Sequence, residues 1–140
     1  MAFKGAGATL AVGDGASPEV FTTIAEVIEV TGPDSSNDEI ETTNLSSTAK
    51  EFIAALKDNG SCDFEAHFNP SNTQHGNLWD DADAATVKNY KLTWSDPATS
   101  PDPYVQFAAF VSSLSVANPP NDSVKISGTL RITGAITRNF

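Results

Sequence analysis

The stretch from residue 124 to residue 138, VKISGTLRITGAITR, alternates between apolar and polar side chains without interruption. A period of two residues is typical of a β-strand with one dry face and one wet face. At about 3.3 Å per residue the stretch would span roughly 50 Å, whereas ordinary strands have about five or six residues. A strand this long outgrows the core of one small domain, and its open edge invites pairing with another chain.

A second long strand precedes it. Residues 104–117, YVQFAAFVSSLSVA, predict a strand that is apolar on both parities between Val105 and Val111. Such a strand either lies between two layers or meets another chain. The two long strands therefore indicate assembly rather than catalysis.

The rest of the chain predicts mostly antiparallel β-structure with one or two short helices, closing as a sandwich or barrel. We interpret residues 33–39 as a polar, acidic loop and residues 39–44 as a return toward strand character. Residues 8–15 predict a short strand that enters a Gly-Asp-Gly turn, residues 21–32 are rich in β-branched residues, and further alternation occurs at residues 61–68 and 90–94.

Residues 69–89 are the better of two helix candidates. Pro70 suits a first helical turn, and Leu78 and Ala82 lie four residues apart, as side chains on one helix face do. These signals predict a single substantial helix from about residue 72 to residue 86.

The other candidate, residues 47–58, is ambiguous. Ser47 as an N-cap and Gly60 as a stop favour a short helix. A strand followed by a turn fits the same residues, and both alternatives stay open.

Composition and motifs limit the function classes. Eighteen acidic residues against eight basic ones give a net charge of −10, which argues against a nucleic-acid reader with a basic patch. The single cysteine, Cys62, excludes an internal disulfide, and its spacing to His67 and His75 matches no standard zinc site. No nucleophile elbow or nucleotide-binding loop occurs. We therefore predict no enzyme activity, no metal and no cofactor.

The sequence also bears on the cellular compartment of the protein. The first residues have one lysine and a short apolar run broken by glycines, which is not the pattern of a signal peptide. No run approaches the roughly 18 apolar residues of a membrane helix. We expect a product that stays in the cytoplasm where it is made, without a membrane partner.

Five segments in a fixed order carry a family likeness, and together they cover nearly the whole chain. They are KGAGATLAV, FEAHFNPSNTQHGNLWD, YKLTW, FAAFVSSLSV and the terminal VKISGTLRITGAI. Their order and spacing resemble the major tail tube protein of long-tailed, lambda-like bacteriophages. The resemblance implies a β-sandwich or barrel flanked by one helix around Thr73–Ala84, similar to the type VI secretion tube. We expect one domain, residues 1–140, and no C-terminal immunoglobulin-like domain, which some relatives in this family carry.

The same resemblance implies a structural role in the virion. Subunits of this family form hexameric rings, and stacked rings make the tube through which DNA leaves the capsid without specific binding. The implied partners are further copies of the chain, a tape measure protein, a tail terminator, and baseplate or tail tip proteins. Assembly would take place in the host cytoplasm.

The resemblance and the strand pattern single out candidate residues. We predict contacts between subunits or rings at Phe3, Lys4, Asp34, Ser35, Asp38, Glu39, Arg131, Thr133, Arg138 and Phe140. Acidic residues facing the lumen, where negative charge would repel phosphate, are predicted at Glu41, Asp63 and Glu65.

Two further expectations concern charge and mobility. We assign Lys125, Arg131 and Arg138 to the wet parity of the last strand, which suggests contact with acids on a neighbour or an outward face. The segment Pro33–Asn44 is expected to be mobile in the free subunit and ordered in the tube, where it reaches the adjacent ring.

Two alternatives remain. The first is a tube-forming protein of a type VI-like secretion or contractile injection system. The second, from another class, is a monomeric β-sandwich that binds a ligand such as a carbohydrate. Such modules show exposed aromatic side chains on a sheet face, and neither Trp79 nor Trp94 is placed by the pattern to form one.

Overall fold

The computed structural model describes residue 5 and residues 7–96 and 101–140. Phe3 and Lys4 lie outside the described residues. Within them the strands are β1 (Thr9–Gly13), β2 (Phe21–Thr23), β3 (Val27–Thr31), β4 (Ser36–Glu41), β5 (Phe52–Asp58), β6 (Ser61–His67), β7 (Lys88–Thr93), β8 (Tyr104–Ala117) and β9 (Lys125–Asn139), and the helix is α1 (Thr73–Ala84).

Seven strands form one antiparallel sheet in the order β2-β1-β7-β8-β9-β6-β3. The two end strands, β2 and β3, follow each other in the chain. Only residues 24–26 separate β2 from β3, and β3 also contacts β1, so the two ends of the sheet meet and the sheet curls toward a barrel. The strand character predicted over residues 21–32 is found in β2 and β3, and residues 24–26 interrupt it. The chain turns at Glu26, whose φ is 59°, to pass from one end of the sheet to the other.

The core lies inside the curled sheet and follows the predicted alternation. On β6, Cys62, Phe64 and Ala66 are buried, and on β7 Tyr90 and Leu92 are buried. On β8 one parity enters the core, while the other, although apolar in part, is only half-buried on the outer face. The mostly β fold with one helix that the sequence predicted is confirmed.

Helix α1 begins directly after its N-cap residue, Asn72. The Asn72 side chain accepts from the backbone N–H groups of Gln74 and His75, which satisfies donors that the first turn leaves unpaired. Pro70 precedes this cap rather than occupying the first turn. The predicted helix is confirmed within two residues at each end, and Leu78 joins the core. No helix formed by the described residues has the length and apolar character needed to cross a bilayer.

Strands β4 and β5 form a separate two-stranded sheet, which we call the arm (residues 36–58). The loop predicted at 33–39 is wrong from Ser36 onward, and the helix alternative for 47–58 is wrong, whereas the strand alternative is confirmed. Pairing across the arm, such as that of Ile40 with Ile53, is a contact that local helix propensity does not register.

Candidate assembly surfaces

The long hairpin formed by β8 and β9 leaves two edges open. Its strands pair from Tyr104 and Asn139 at one end to Ala117 and Lys125 at the other. On the outer side of β8, β7 pairs only with residues 104–109. On the outer side of β9, β6 pairs only with residues 125–131. In the described part of the chain, residues 110–117 and 132–139 thus lack a strand partner on their outer side, and these two edges lie at opposite ends and on opposite sides of the hairpin.

The last strand outgrows the core at Ile132. Its dry face is buried at Ile126, Gly128, Leu130 and Ile132, after which the side chains are exposed except for the half-buried Ile136. The alternating pattern continues past this point, although among the described residues only Ile136 of this stretch still packs against the core. The long strand therefore serves the core in its first half and presents an edge in its second half.

The arm exposes apolar side chains on both of its faces. Ile40 and Ile53 lie on one face, because they are cross-strand partners. Phe52 pairs with Glu41 and lies on the other face, and Leu56, next to a register shift in β5, is 87% exposed. An isolated two-stranded hairpin is marginal in water, and clustered apolar side chains at a surface mark a contact with another molecule. The arm is therefore a candidate surface for assembly.

The base of the arm is fixed to the main sheet by polar contacts. The Asp58 carboxylate accepts from the Gly60 N–H at 2.8 Å and from the Arg131 guanidinium of β9 at 2.9 Å. The hydrogen bond from Arg131 is the main reason that the pKa of Asp58 lies below its ordinary value. On the other side of the base, just before β4, the Asp34 N–H donates to the Ser61 carbonyl at 3.2 Å. The arm thus leaves the sheet in a defined direction.

The structure separates the predicted contact residues into groups. Asp34 and Ser35 lie at the base of the arm, and Asp38 and Glu39 lie on β4. Thr133 lies just beyond the last part of β9 that β6 covers. These positions fit contacts between subunits, which nothing in a single chain tests, so the contacts stay a prediction.

The acidic candidates divide between two sheets. Asp63 and Glu65 lie on the wet face of β6, where the Thr129 hydroxyl donates to Asp63 at 2.7 Å. Sequence reasoning missed Glu29, which is the register partner of Glu65 on β3 and lines the same polar groove of about 390 Å³. Glu41 lies on the arm, away from this group. That any of them faces a lumen stays a prediction.

Two of the three basic residues of β9 are paired with acids of their own chain. Lys125 Nζ lies 3.3 Å from an Asp122 carboxylate oxygen, and Arg131 contacts Asp58. A neighbour's acids are therefore not needed to explain these two charges on the wet face.

The assignment of Arg138 to the wet parity is wrong. Arg138 pairs in register with Val105, whose side chain is in the core, so the two share the other face. Beyond the edge of the core, the Arg138 guanidinium lies 5.6 Å from the centre of the Phe140 ring. That ring meets Trp94 edge-on, with a centroid distance of 6.2 Å.

The residues examined as metal ligands are engaged elsewhere. The buried His75 ring accepts at Nδ1 from the Asn69 N–H at 3.0 Å, and its Nε2 lies 2.8 Å from the Ala25 carbonyl, which makes Nε2 the protonated nitrogen. Burial raises the pKa of the Cys62 thiol to about 12, so this thiol is inert at neutral pH. The described residues contain no cluster of three metal-ligating side chains.

Comparison with known proteins identifies the fold and the family. The family described as "Phage tail tube, TTP, lambda-like" matches residues 1–140. A curated relative, "Structural protein 3" of Pseudomonas phage PAJU2, is 32% identical over 75 residues, which are 54% of this chain and 46% of the relative. The chain thus aligns with about half the length of that relative.

Solved structures share the fold at low sequence identity. The tail of an empty gene transfer agent particle, refined with C6 symmetry, has a TM-score of 0.80 at 15% identity and covers 99% of this chain and 100% of its own. A sheath–tube complex of an extracellular contractile injection system, PVC, has a TM-score of 0.70 at 17% identity, with 94% and 87% covered. Because both kinds of tube share the fold, the fold alone does not choose between them.

The family match over the whole chain favours a phage tail tube over the tube of a contractile injection system. It also argues against an unrelated ligand-binding β-sandwich. The open edges and the exposed arm are features expected of a subunit that is incomplete by itself. The chain belongs to the lambda-like phage tail tube family and is a structural protein of the phage tail.

Proposed function

We propose that this protein assembles into hexameric rings that stack into a tail tube, the conduit through which DNA leaves the capsid. The observation that carries this proposal is the pair of open edges on the β8–β9 hairpin, one on each side of the subunit. Family membership supports assembly into a tube, and the open edges offer surfaces at which subunits could pair.

In the proposed ring, residues 110–117 of one subunit pair antiparallel with the open edge that lies within residues 132–139 of the next. The two edges differ from each other, so the contact is head-to-tail, and a head-to-tail contact that repeats by rotation closes into a ring. The closed ring leaves no edge of this sheet open. The C6 symmetry of the related gene transfer agent tail supports six subunits.

We further propose that the arm reaches the adjacent ring. Its apolar faces would then be covered by a second copy of the chain, which removes exposed apolar surface from water at roughly 25 cal/mol per Å². The wet face of the sheet, with Asp63 and Glu65, would line the lumen and keep the phosphate backbone from binding.

The remaining partners follow from this role. A tape measure protein inside the growing tube, a tail terminator at one end and baseplate or tail tip proteins at the other are proposed. We propose assembly in the host cytoplasm. The role requires no catalytic step, so we expect no enzyme activity and no metal.

Disulfide trapping tests the proposed ring contact. Ser113 and Thr137 are exposed on the wet face at the two open edges. Thr137 lies opposite Gln106, seven residues along β8 from Ser113, a separation of about 23 Å that prevents a disulfide within one subunit. Because Cys62 is buried, it should not form disulfides with the introduced cysteines.

A double variant, Ser113→Cys with Thr137→Cys, should form an oxidised ladder of cross-linked subunits that ends at the hexamer on a non-reducing gel. Cysteine pairs shifted by two residues along either edge would locate the register. Each single-cysteine variant is the control and should give at most a dimer. Absence of any ladder at every register, in a protein that forms tubes, would show that these edges do not meet.

A second test concerns the arm. Leu56→Ser should leave a folded subunit that no longer makes long tubes in negative-stain images. Val20→Ser is the matched control, since Val20 is 60% exposed but lies outside the arm. Normal tubes from the Leu56 variant would remove the arm from ring stacking.

A further inference from the structure

Asn59 is a buried amide in the turn between β5 and β6. The residue is only 7% exposed, and its side chain bridges two other segments. Nδ2 donates to the Gly134 carbonyl of β9 at 2.5 Å, and Oδ1 accepts from the Ser35 hydroxyl at 3.3 Å. Because an unpaired amide is costly to bury, these hydrogen bonds hold the turn, the base of the arm and β9 in one arrangement.

The hydrogen bond to Gly134 extends the ladder between β6 and β9. The last strand pair of that ladder includes Arg131, and the Gly60 carbonyl then accepts from the Ile132 N–H at 3.0 Å. Beyond this point the backbone leaves toward the arm. The Asn59 side chain therefore takes the place of a backbone donor where the subunit's own sheet stops.

Gly134 is also the point at which β9 changes register against β8. From Thr133 to Thr137 β9 advances four residues, whereas β8 advances two, from Ala108 to Gln106. Gly134 has a φ of 83°, a conformation that favours glycine. A bulge of this kind bends a strand and re-aims its edge. An unpinned bulge can also slip by two residues without moving side chains to the other face.

A groove of about 460 Å³ lies beside the pinned bulge, between the arm and the open part of β9. Leu56 lines it from the arm, and Ile132 and Ile136 line it from β9. Asn59 is also in its wall. The groove thus lies along the β9 edge at the bulge, between the open part of β9 and the arm.

We infer that Asn59 is a positioning residue for assembly, which ends the subunit's own sheet at Gly134 and fixes the register at which the β8 edge of a second copy pairs with β9. The inference rests on the proposed edge-to-edge contact. Because the amide occupies the Gly134 carbonyl, the incoming strand pairs beyond the bulge, and because the bulge is pinned, it does so at the same residue in every subunit. A closed barrel with a fixed number of strands requires such a uniform register.

The variant Asn59→Ala removes both hydrogen bonds and tests this role. Its matched control is Asn72→Ala, which also removes an asparagine that bonds to backbone groups, but at the cap of α1 and outside the β6–β9 ladder. Circular dichroism establishes that each subunit is folded. Cryo-electron microscopy of the assembled tubes then gives the fraction of particles in each symmetry class.

We expect wild type and Asn72→Ala to give one dominant symmetry class. Asn59→Ala should lower the fraction in that class several-fold, and the cysteine pairs at the two edges should cross-link in more than one register. Folded Asn59→Ala subunits that give the single wild-type class and register would overturn the inference. If this variant fails to fold, Asn59→Asp decides in its place, because a carboxylate still accepts from the Ser35 hydroxyl but cannot donate to the Gly134 carbonyl; mixed classes would support the inference and a uniform class would overturn it.

Failure of the proposed function and failure of this inference are distinguishable. Wild-type protein that forms neither rings nor cross-linked ladders would overturn the proposed function, and this inference with it. Wild-type tubes together with unaltered Asn59→Ala tubes would overturn the inference alone.

Discussion

The β8–β9 hairpin and the arm are both antiparallel hairpins with many apolar side chains, yet their environments differ. Along β9 the apolar side chains keep one parity and are buried as far as Ile132. On the arm they occupy both faces, and β4 has no buried residue. A one-sided pattern assigns a strand to the core of its own subunit. A two-sided pattern on a hairpin without a core assigns it to a place between subunits.

The largest effect that tests this difference comes from charge. Ile132→Asp places a carboxylate at a residue that is 5% exposed, which costs several kcal/mol and should abolish the cooperative thermal transition followed by circular dichroism. Leu56→Asp on the arm should leave that transition within a few degrees of wild type. A subunit unfolded by the arm variant would show that the arm belongs to the core.

A smaller effect is expected where the two regions join. Gly60→Ala requires a side chain at a φ of 71°, and its Cβ would overlap the Asp34 carbonyl. The variant should lose at least about 2 kcal/mol in urea unfolding. Gly15→Ala is the control, because it has a φ of 76° but open space around it. Equal losses for the two variants would mean that the close approach at the base of the arm contributes nothing.

Within the core, removal of one polar group should raise the stability of the subunit rather than lower it. The Tyr90 hydroxyl is buried, and no hydrogen-bond partner for it is found among the described residues. Burial, with Asp81 nearby, raises the pKa of Tyr90. Tyr90→Phe should stabilise the subunit by up to about 1 kcal/mol, measured by urea unfolding. The half-buried Tyr104 serves as the control, and Tyr104→Phe should change little. A destabilised Tyr90 variant would indicate an unrecognised hydrogen bond.

The smallest effect concerns the exposed pair at the base of the arm. Because the folded-state pKa of Asp58 is lowered, chiefly by the hydrogen bond from Arg131, the stability it contributes is fully present above the ordinary carboxyl pKa, near 4. That contribution is lost as the pH falls through the folded-state value. Asp58→Asn should therefore flatten slightly the pH dependence of the melting temperature below about pH 4. A curve parallel to that of wild type would contradict the pairing.

Much of the fold is predictable from the sequence, because most elements are encoded by local patterns. The strand ending at Asn139 and the helix capped by Asn72 were both predicted within two residues, since alternation and capping involve neighbours in the chain. The start of the arm was predicted as a loop, because residues 33–39 are polar and acidic. Strand β4 exists through pairing with β5, and that pairing depends on residues more than ten positions apart.

The candidate site was harder to predict, because it depends on which strands become neighbours. Glu29 joins Glu65 only through the pairing of β3 with β6. Asn59 looks like an ordinary turn residue until the sheet brings Gly134 next to it. The partners of Arg131 likewise come from the arm, 73 residues away. Long-range pairing of this kind leaves no local pattern for sequence reasoning to find.

The arm leaves the subunit from one place only, on the β6 side of β9, and this asymmetry has a consequence for the whole polymer. If every arm in a tube enters the ring ahead of it, the filament has a direction. One terminus carries uncovered arms, with Ile40 and Leu56 in water, while the other carries empty receiving surfaces. Growth at the two termini then uses different contact surfaces. Proteins that stop growth or anchor the filament can therefore bind one terminus and not the other.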